Sequence, residues 1–215
     1  MDISKNDTAV LITDPQNDFL SEQGVVWGLV GESVKANGTI GNIETLMKTA
    51  KGNGYQVFIS PHYYFPTDHS WHFGGTVENM MHEVKMFDRT GALDLGGFAG
   101  SGADWLDRYK PLIEDGKTVI ASRHKVCGLE NNDLVLQLRK RKIGSVILGG
   151  ISANLCVEAH LRELLEQGFE VAVVKDATAG AQHPELGDDY QSALTNFGFI
   201  ANAVLSTDEA VAAMT

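Results

Sequence analysis

The sequence predicts a three-layer α/β/α fold with a central, mostly parallel, six-stranded Rossmann-like sheet. Short apolar runs alternate with helical patterns along the chain, and the runs are apolar at nearly every position. This combination is typical of a parallel sheet that is covered by helices on both faces. A chain of 215 residues is long enough for one such domain and need not contain two. We therefore predict a single domain over residues 1–215.

Six runs rich in aliphatic and β-branched residues predict the strands. In chain order they are Thr8–Thr13, Tyr55–Ser60, Thr118–Ala121, Ser145–Leu148, Glu170–Val174 and a weaker run at Ile200–Val204. Side chains of this kind are enriched in strands, and continuous apolar runs fit strands that are buried on both faces.

Helical spacing of apolar residues appears between these runs. It joins Leu134, Leu138 and Ile143, and it returns at Val157, Leu161, Leu164 and Leu165, where Gly168 is a suitable helix-ending residue. The segment from Glu32 to Gly54 is less regular, because Gly38 and Gly41 each cost a helix about 1 kcal/mol. Residues 62–109 are rich in aromatic residues, histidine and glycine without clear periodicity, which predicts a pocket wall or lid.

Composition and charge exclude several classes of partner. The net charge of −11 disfavours nucleic acids and anionic membrane surfaces, because both need a basic patch. The first residues are polar, and the sequence contains no apolar stretch of about 18 residues that could span a bilayer. The two cysteines, Cys127 and Cys156, are then expected to be free thiols in a reducing cytoplasm.

Three reactive residue types follow three predicted strands. Asp14 comes after the first strand in DPQNDF, Lys125 after the third in SRHKVCG, and Cys156 after the fourth in GGISANLC. Taken singly, they are a turn former, a solvated lysine and a small buried residue. The carboxyl ends of parallel strands share one edge of a sheet, where α/β proteins bind ligands. The three side chains are therefore expected to meet.

Their chemistry suits nucleophilic catalysis by a thiol. The thiolate is the reactive form, and a helix N-terminus or a nearby ammonium such as Lys125 would lower the pKa of Cys156. The Asp14 carboxylate could accept the thiol proton and later return it to a leaving group. The small residues 149–153 predict a tight turn whose amide N–H groups could bind an oxyanion.

These motifs, together with NNDLVLQLRKRKIGSVILGGISANLCVEAH and VVKDATAG, give the chain a family resemblance over essentially its whole length. It resembles the isochorismatase-like cysteine hydrolases, which include nicotinamidases, N-carbamoylsarcosine amidases, and ureidoacrylate and biuret hydrolases. The branch that cleaves a vinyl ether lacks the cysteine. Because this chain keeps it, the resemblance implies cleavage of a C–N bond in an amide, carbamoyl or ureido group through a thioester.

The resemblance also implies roles for particular residues. Asp14, Lys125 and Cys156 would form the catalytic triad. The backbone N–H groups of Ser152 and Cys156 would bind the oxyanion, and the peptide bond between Ile151 and Ser152 would be cis.

Nicotinamidases of this family hold a metal through an aspartate, a histidine two residues later and a further histidine. Here His62 and Tyr64 occupy the first two places, and only His69 matches. We therefore predict no metal and no cofactor, and we expect His62 and His69 either to line the pocket or to hold the loop by hydrogen bonds. Phe19, Tyr64 and Trp71 are expected to supply aromatic surface to a small-molecule substrate.

Two alternatives remain open. One is a metal-dependent nicotinamidase, and the other is a non-catalytic member that binds a small molecule or serves in assembly. Retention of all three reactive residues disfavours the second.

Other residues near these motifs have expected structural roles. Gln16 and Asn17 are expected to tie the first loop by hydrogen bonds, and Cys127 is expected to be a packing thiol. The family resemblance implies a homo-oligomer, a dimer or a tetramer.

Overall fold

The computed structural model describes residues 1–215 and contains one sheet of six parallel strands. These strands are β1 (Thr8–Thr13), β2 (Gln56–Ser60), β3 (Val119–Ile120), β4 (Ser145–Ile151), β5 (Glu170–Ala179) and β8 (Ala203–Leu205). A small antiparallel hairpin pairs β6 (Gln182–His183) with β7 (Gly187–Asp188). The order across the large sheet is β3-β2-β1-β4-β5-β8. The predicted α/β class with a six-stranded sheet is confirmed.

Nine helices connect the strands. They are α1 (Asn17–Leu20), α2 (Trp27–Asn37), α3 (Thr39–Gly52), α4 (Thr76–Glu83), α5 (Lys110–Ile113), α6 (Leu134–Lys140), α7 (Glu158–Glu166), α8 (Asp189–Ile200) and α9 (Thr207–Met214). None of them combines the length and the apolar character needed to cross a bilayer.

The sheet separates two hydrophobic cores. Side chains of β1 alternate between them: Val10 and Ile12 face the core that is closed by α2, α3 and α9, whereas Ala9 and Leu11 face the core closed by α6, α7 and α8. Every residue of β1 and β4 is buried, so these strands need apolar side chains on both faces. This explains why their sequences read as continuous apolar runs.

Two glycines end helices where the sequence pattern is interrupted. Gly38 has a φ of 65° and divides the irregular segment between Glu32 and Gly54 into α2 and α3. Gly168 has a φ of 77° and follows α7 as the sequence predicts. In both places a left-handed backbone favours glycine.

The irregular region 62–109 contains one helix that the sequence pattern does not predict. The helix has only two turns, and its apolar face consists of Val77, Met80 and Met81, a pattern too short to stand out among the surrounding glycine and aromatic residues. The rest of the region consists of turns and short 3₁₀ segments, in agreement with the predicted loop character.

The strand order reverses between β1 and β4, in the middle of the sheet. β1 pairs with β2 on one side and with β4 on the other. The later strands then extend the sheet outward, β3 beyond β2 and, on the other side, β5 and β8 beyond β4. Such a switch point opens a crevice beyond the carboxyl ends of the two central strands. The segments that follow β1 and β4 therefore lie side by side.

Gly150 is needed where β4 reaches this edge. It pairs with Thr13, has a φ of 121°, and a Cβ at this position would collide with the Thr13 carbonyl oxygen. We expect Gly150→Ala to lower the free energy of unfolding by about 3 kcal/mol, because both backbone strain and overpacking oppose the methyl group. Urea denaturation measures this change.

Gly41→Ala is the matched control. Gly41 lies on α3 in an ordinary helical conformation, and a Cβ there meets no atom within 4 Å. We expect this variant to be unchanged or up to about 1 kcal/mol more stable, because alanine favours the helix. Equal effects of the two substitutions would contradict the close approach of β4 to β1.

Candidate active site

Four buried side chains converge beyond β1, β2 and β4. They belong to Asp14, His62, His124 and Cys156, and their polar atoms lie within 4.8 Å of one another. All four residues are fully buried. Asp14 follows β1 and Cys156 follows β4, as predicted, while His62 and His124 follow β2 and β3. Parallel strands that end at one edge thus bring together residues up to 142 positions apart.

Asp14 has two carboxylate oxygens in different environments. Its Oδ1 accepts a hydrogen bond from Nε2 of His124 at 2.7 Å, and its Oδ2 has no hydrogen-bond partner. Burial raises the pKa of Asp14 to about 6, although His62 and the Cys156 thiol oppose this rise. A carboxylate with this pKa is a stronger base than an ordinary one and is still ionised at pH 7.

Cys156 lies in a π-helical turn, Ala153–Val157, that leads directly into α7. The Ser152 carbonyl accepts hydrogen bonds from the N–H groups of Leu155 and Val157 but not from that of Cys156, which lies between them. Isolated π turns of this kind occur frequently at functional sites.

The thiol of Cys156 differs from the sequence expectation. Contact with the Cys127 thiol, burial and the nearby Asp14 carboxylate together raise its pKa well above the usual range. The sequence analysis expected a lowered pKa, which is wrong for this arrangement, because the Cys127 thiol, burial and the Asp14 carboxylate all act in the opposite direction. The resting group is a neutral thiol next to an ionised carboxylate. Both cysteines are free, as expected.

Lys125 does not join this group through its ammonium. Its backbone carbonyl accepts a hydrogen bond from Nε2 of His62 at 3.0 Å, and its charge acts on Asp68. The preceding residue, His124, makes the contact with Asp14 instead. The structure therefore brings Asp14 and Cys156 together, and the only basic side chain with a nitrogen within 4 Å of the Asp14 carboxylate is that of His124, not Lys125.

The buried histidines are uncharged at neutral pH. Burial lowers the pKa of His62, His124 and His160 to about 3 in each case. The contact between His124 and Asp14 is consequently a hydrogen bond from a neutral ring rather than an ion pair. A hydrogen bond from a neutral ring favours the ionised carboxylate less strongly than a full positive charge would, and burial remains the dominant influence on the pKa of Asp14.

His160 forms a hydrogen bond with the backbone of Cys156. Its Nδ1–H donates to the Cys156 carbonyl at 2.7 Å, and its Nε2 accepts from the Ser60 hydroxyl at 2.8 Å. Asn132 donates to the same hydroxyl at 3.1 Å. The sequence analysis did not identify His124 or His160. The signals were present: His124 adjoins Lys125 in the same motif, and His160 lies four residues after Cys156, on the same helical face.

The turn before Cys156 contains a backbone N–H group, that of Ser152, without a hydrogen-bond partner in the chain. The peptide bond between Ile151 and Ser152 is cis, at the place that the resemblance implies. The Ser152 N–H donates to no acceptor within the chain. A nearly buried amide without a partner is rare and fits a group reserved for a ligand oxygen.

A cavity of about 350 Å³ adjoins this turn. Ser152, Leu155 and Phe19 are among the residues that line it. Phe19 is thus placed where the sequence analysis expects a substrate-binding residue. Cys156 is fully buried and does not itself line the cavity.

The other expected pocket residues lie outside the cavity. Tyr64 is fully buried, its hydroxyl donates to the Met81 sulfur at 3.5 Å, and its ring packs against His62 and Trp71. His69 bonds to Asp88 at 2.8 Å. These side chains hold the loop after β2 in place. They are not positioned to contact a molecule in the cavity.

The loop residues do not fit the metal site known from nicotinamidases. His62 is turned toward the Lys125 carbonyl, Tyr64 presents a hydroxyl that is already bonded, and His69 is paired with Asp88. Three donors at these positions do not converge on one point. The four-residue group around Cys156 contains donors that suit a soft divalent ion, but Asp14 Oδ1 is already bonded to His124.

Gln16 and Asn17 tie the first loop to its neighbours, as expected. The Gln16 amide donates to the carbonyls of His62 and Ala103 at 2.8 and 2.9 Å and accepts from the His62 N–H at 2.9 Å. Asn17 donates to the Ser101 carbonyl at 2.9 Å. These bonds hold the loops after β1 and β2 at a constant separation, which positions Asp14 relative to His62.

Comparison with known proteins agrees with this architecture. A cysteine hydrolase from Pseudomonas syringae pv. phaseolicola superposes with a TM-score of 0.80 at 19% identity, covering 100% of this chain and 95% of that one. An N-carbamoylsarcosine amidase from Thermoplasma acidophilum gives a TM-score of 0.70 at 18% identity, covering 94% and 98%. At these identities the likeness shows the fold.

Sequence comparison shows the family. A ureidoacrylate amidohydrolase, RutB, from Methylorubrum extorquens is 30% identical over 218 residues, which cover 94% of this chain and 84% of that protein. The isochorismatase domain model matches residues 8–209. The chain therefore belongs to the isochorismatase family of hydrolases, as its strand-end motifs indicate.

Proposed function

We propose that the protein is a cysteine hydrolase that cleaves a C–N bond of an amide, carbamoyl or ureido group in a small molecule. One observation carries this proposal. The Cys156 thiol lies beside a buried carboxylate, Asp14, whose Oδ2 is free of other partners and whose pKa is raised to about 6. A neutral thiol and a nearby base of this strength are the two components of nucleophile activation.

The first step forms the carbon–sulfur bond. Asp14 Oδ2 takes the proton from Cys156 as Sγ attacks the carbonyl carbon of the substrate. The carbonyl oxygen becomes an oxyanion, which accepts a hydrogen bond from the Ser152 N–H and from the Cys156 N–H. His124 keeps the Asp14 carboxylate oriented by its bond to Oδ1.

The second step breaks the carbon–nitrogen bond. The oxyanion collapses to a thioester, and the nitrogen leaves as ammonia or an amine with the proton from Asp14. Water then attacks the thioester, giving one proton to Asp14, which passes it to the departing sulfur. The products are the acid, the amine or ammonia, and the original thiol. In this scheme His124 has the contact that the resemblance assigns to Lys125.

The proposal is tested by an ammonia-release screen of primary amides, carbamoyl amino acids and ureides. Acid quenching during turnover, followed by peptide mass spectrometry, is expected to show an acyl group on Cys156. Cys156→Ser is the control, and it should release no ammonia. Turnover without an acyl adduct on Cys156 would contradict the thioester route. A Cys156→Ala variant that keeps the biological effect of the unmodified protein would favour a binding role.

Removal of divalent ions separates this proposal from a metal-dependent nicotinamidase. The loop donors at His62, Tyr64 and His69 do not converge, so we expect EDTA dialysis to leave kcat within about two-fold of the untreated value. Activity is measured before and after dialysis and after addition of Zn²⁺ or Fe²⁺. Loss of turnover that Zn²⁺ or Fe²⁺ restores would favour the metal-dependent alternative.

A further inference from the structure

The cavity of about 350 Å³ ends against the turn that carries the proposed nucleophile. Ser152, the proposed oxyanion donor, and Leu155, the residue before Cys156, form its wall on this side. Cys156 itself has no exposed surface, and Leu155 precedes it directly in the chain. This position makes the cavity the candidate space for the non-reacting part of a substrate.

The lining of the cavity is almost entirely apolar. Eleven of its fifteen residues are hydrophobic, and several come from α2 and from the segment that contains α4. They include Phe19, Val26, Val30, Met80, Met81 and Met86. Methionine side chains adapt to irregular apolar shapes, so the lining suits hydrocarbon groups of more than one outline.

The charge of the lining is equally informative. No lysine or arginine faces the cavity, and its ionisable residues are His183 and Asp189. An anionic group placed here would lose its hydration without gaining a cation, and the Asp189 carboxylate would repel it. The cavity therefore combines attraction for apolar surface with rejection of negative charge.

From this lining we propose that the substrates are uncharged amides or ureides that carry an apolar hydrocarbon group, and that carboxylate-bearing analogues are rejected. This inference rests on the proposed function, because it names the substrate class of the same site. For an amide the balanced reaction is R–CO–NH₂ plus water giving the carboxylate R–COO⁻ and NH₄⁺, with R in the cavity.

Two matched pairs of compounds test the inference. Hexanamide is compared with adipamate, and n-propylurea with 3-ureidopropionate, since each pair differs by a methyl group in place of a carboxylate. We expect kcat/KM to be about 100-fold higher for the uncharged member of each pair, because the cavity offers the carboxylate no counter-charge. An anionic member that is hydrolysed as fast as its partner, or faster, overturns the inference.

A positive charge introduced into the lining should reduce the ratio of kcat/KM between the uncharged and the anionic member of each pair. Met80 is half-buried on α4, so Met80→Arg can place a cation at the cavity. We expect the ratio between uncharged and anionic members to fall by about ten-fold or more. Asn79→Arg adds the same charge at the neighbouring exposed position and should leave the ratio unchanged. A ratio that Met80→Arg does not alter counts against the cavity as the recognition site.

Binding to the Cys156→Ser variant separates the inference from the proposed function. Ligand-observed NMR should detect hexanamide but not adipamate at equal concentration. If the unmodified protein releases no ammonia and forms no acyl adduct while the variant still binds hexanamide selectively, the proposed function is overturned. The same result would support the preference of the cavity for uncharged, apolar compounds. Adipamate that binds as tightly as hexanamide would overturn the preference, whatever the activity.

Discussion

Cys156→Ala is expected to lower kcat by about 10⁴-fold or more while leaving the fold intact, because the nucleophile of a covalent mechanism has no substitute. The side chain is fully buried, but replacing CH₂–SH with CH₃ removes only one heavy atom. Ammonia release measures the activity, and thermal unfolding verifies the fold.

Cys127→Ser is the matched control. Cys127 lies beside Cys156 and is the larger influence on its pKa, but it does not contact Asp14 Oδ2 in the proposed steps. We expect kcat to fall by less than about ten-fold, because only one weak hydrogen bond is altered. A larger loss in Cys127→Ser than in Cys156→Ala would show that the two thiols have been assigned the wrong roles.

Asp14→Asn is expected to lower kcat by about 10⁴-fold, because an amide cannot take the thiol proton. In the unmodified protein, kcat/KM should decline on the acid side with an apparent pKa of about 6, the value to which burial raises the pKa of Asp14. The sign is determined by the mechanism. Above this pH the carboxylate is ionised and acts as a base, and below it the group is protonated, so activity falls about ten-fold per pH unit.

His124 determines where this acid limb lies. His124→Lys places an ammonium beside Asp14 Oδ1, so it should stabilise the ionised carboxylate and move the limb to lower pH. His124→Gln keeps an uncharged donor and should leave the limb near its original position. Measured pH profiles of kcat/KM for both variants decide the point. A limb that stays in place in His124→Lys, or that persists in Asp14→Asn, would assign the titration to another group.

The architecture was predictable because it follows from local patterns. Runs such as TAVLIT are buried on both faces, and this requirement alone distinguishes a central parallel strand from a half-exposed one. The limits of prediction appear at β4 and β5. Both strands extend beyond their apolar runs, to Ile151 and Ala179, because the glycines and small residues there pair with neighbouring backbone rather than pack through side chains.

The site was predictable in part. Asp14 and Cys156 follow buried strands directly, so parallel topology alone predicts that they meet. Lys125 follows β3, a strand of only two residues at the sheet edge. After so short a strand, the direction of each side chain depends on the turn that follows. That turn brings His124, rather than Lys125, into hydrogen-bond contact with Asp14.

By itself, the sequence determined the α/β fold, the family, and the aspartate and cysteine at the central strand ends, because hydrophobic periodicity and the motifs that follow each strand are local properties. Only the tertiary structure decided that His124 contacts Asp14, that the Cys127 thiol and burial raise the pKa of Cys156, and that an apolar cavity without lysine or arginine adjoins Ser152. These properties depend on desolvation and on which side chains from distant segments share one small volume. No spacing along the chain encodes either quantity.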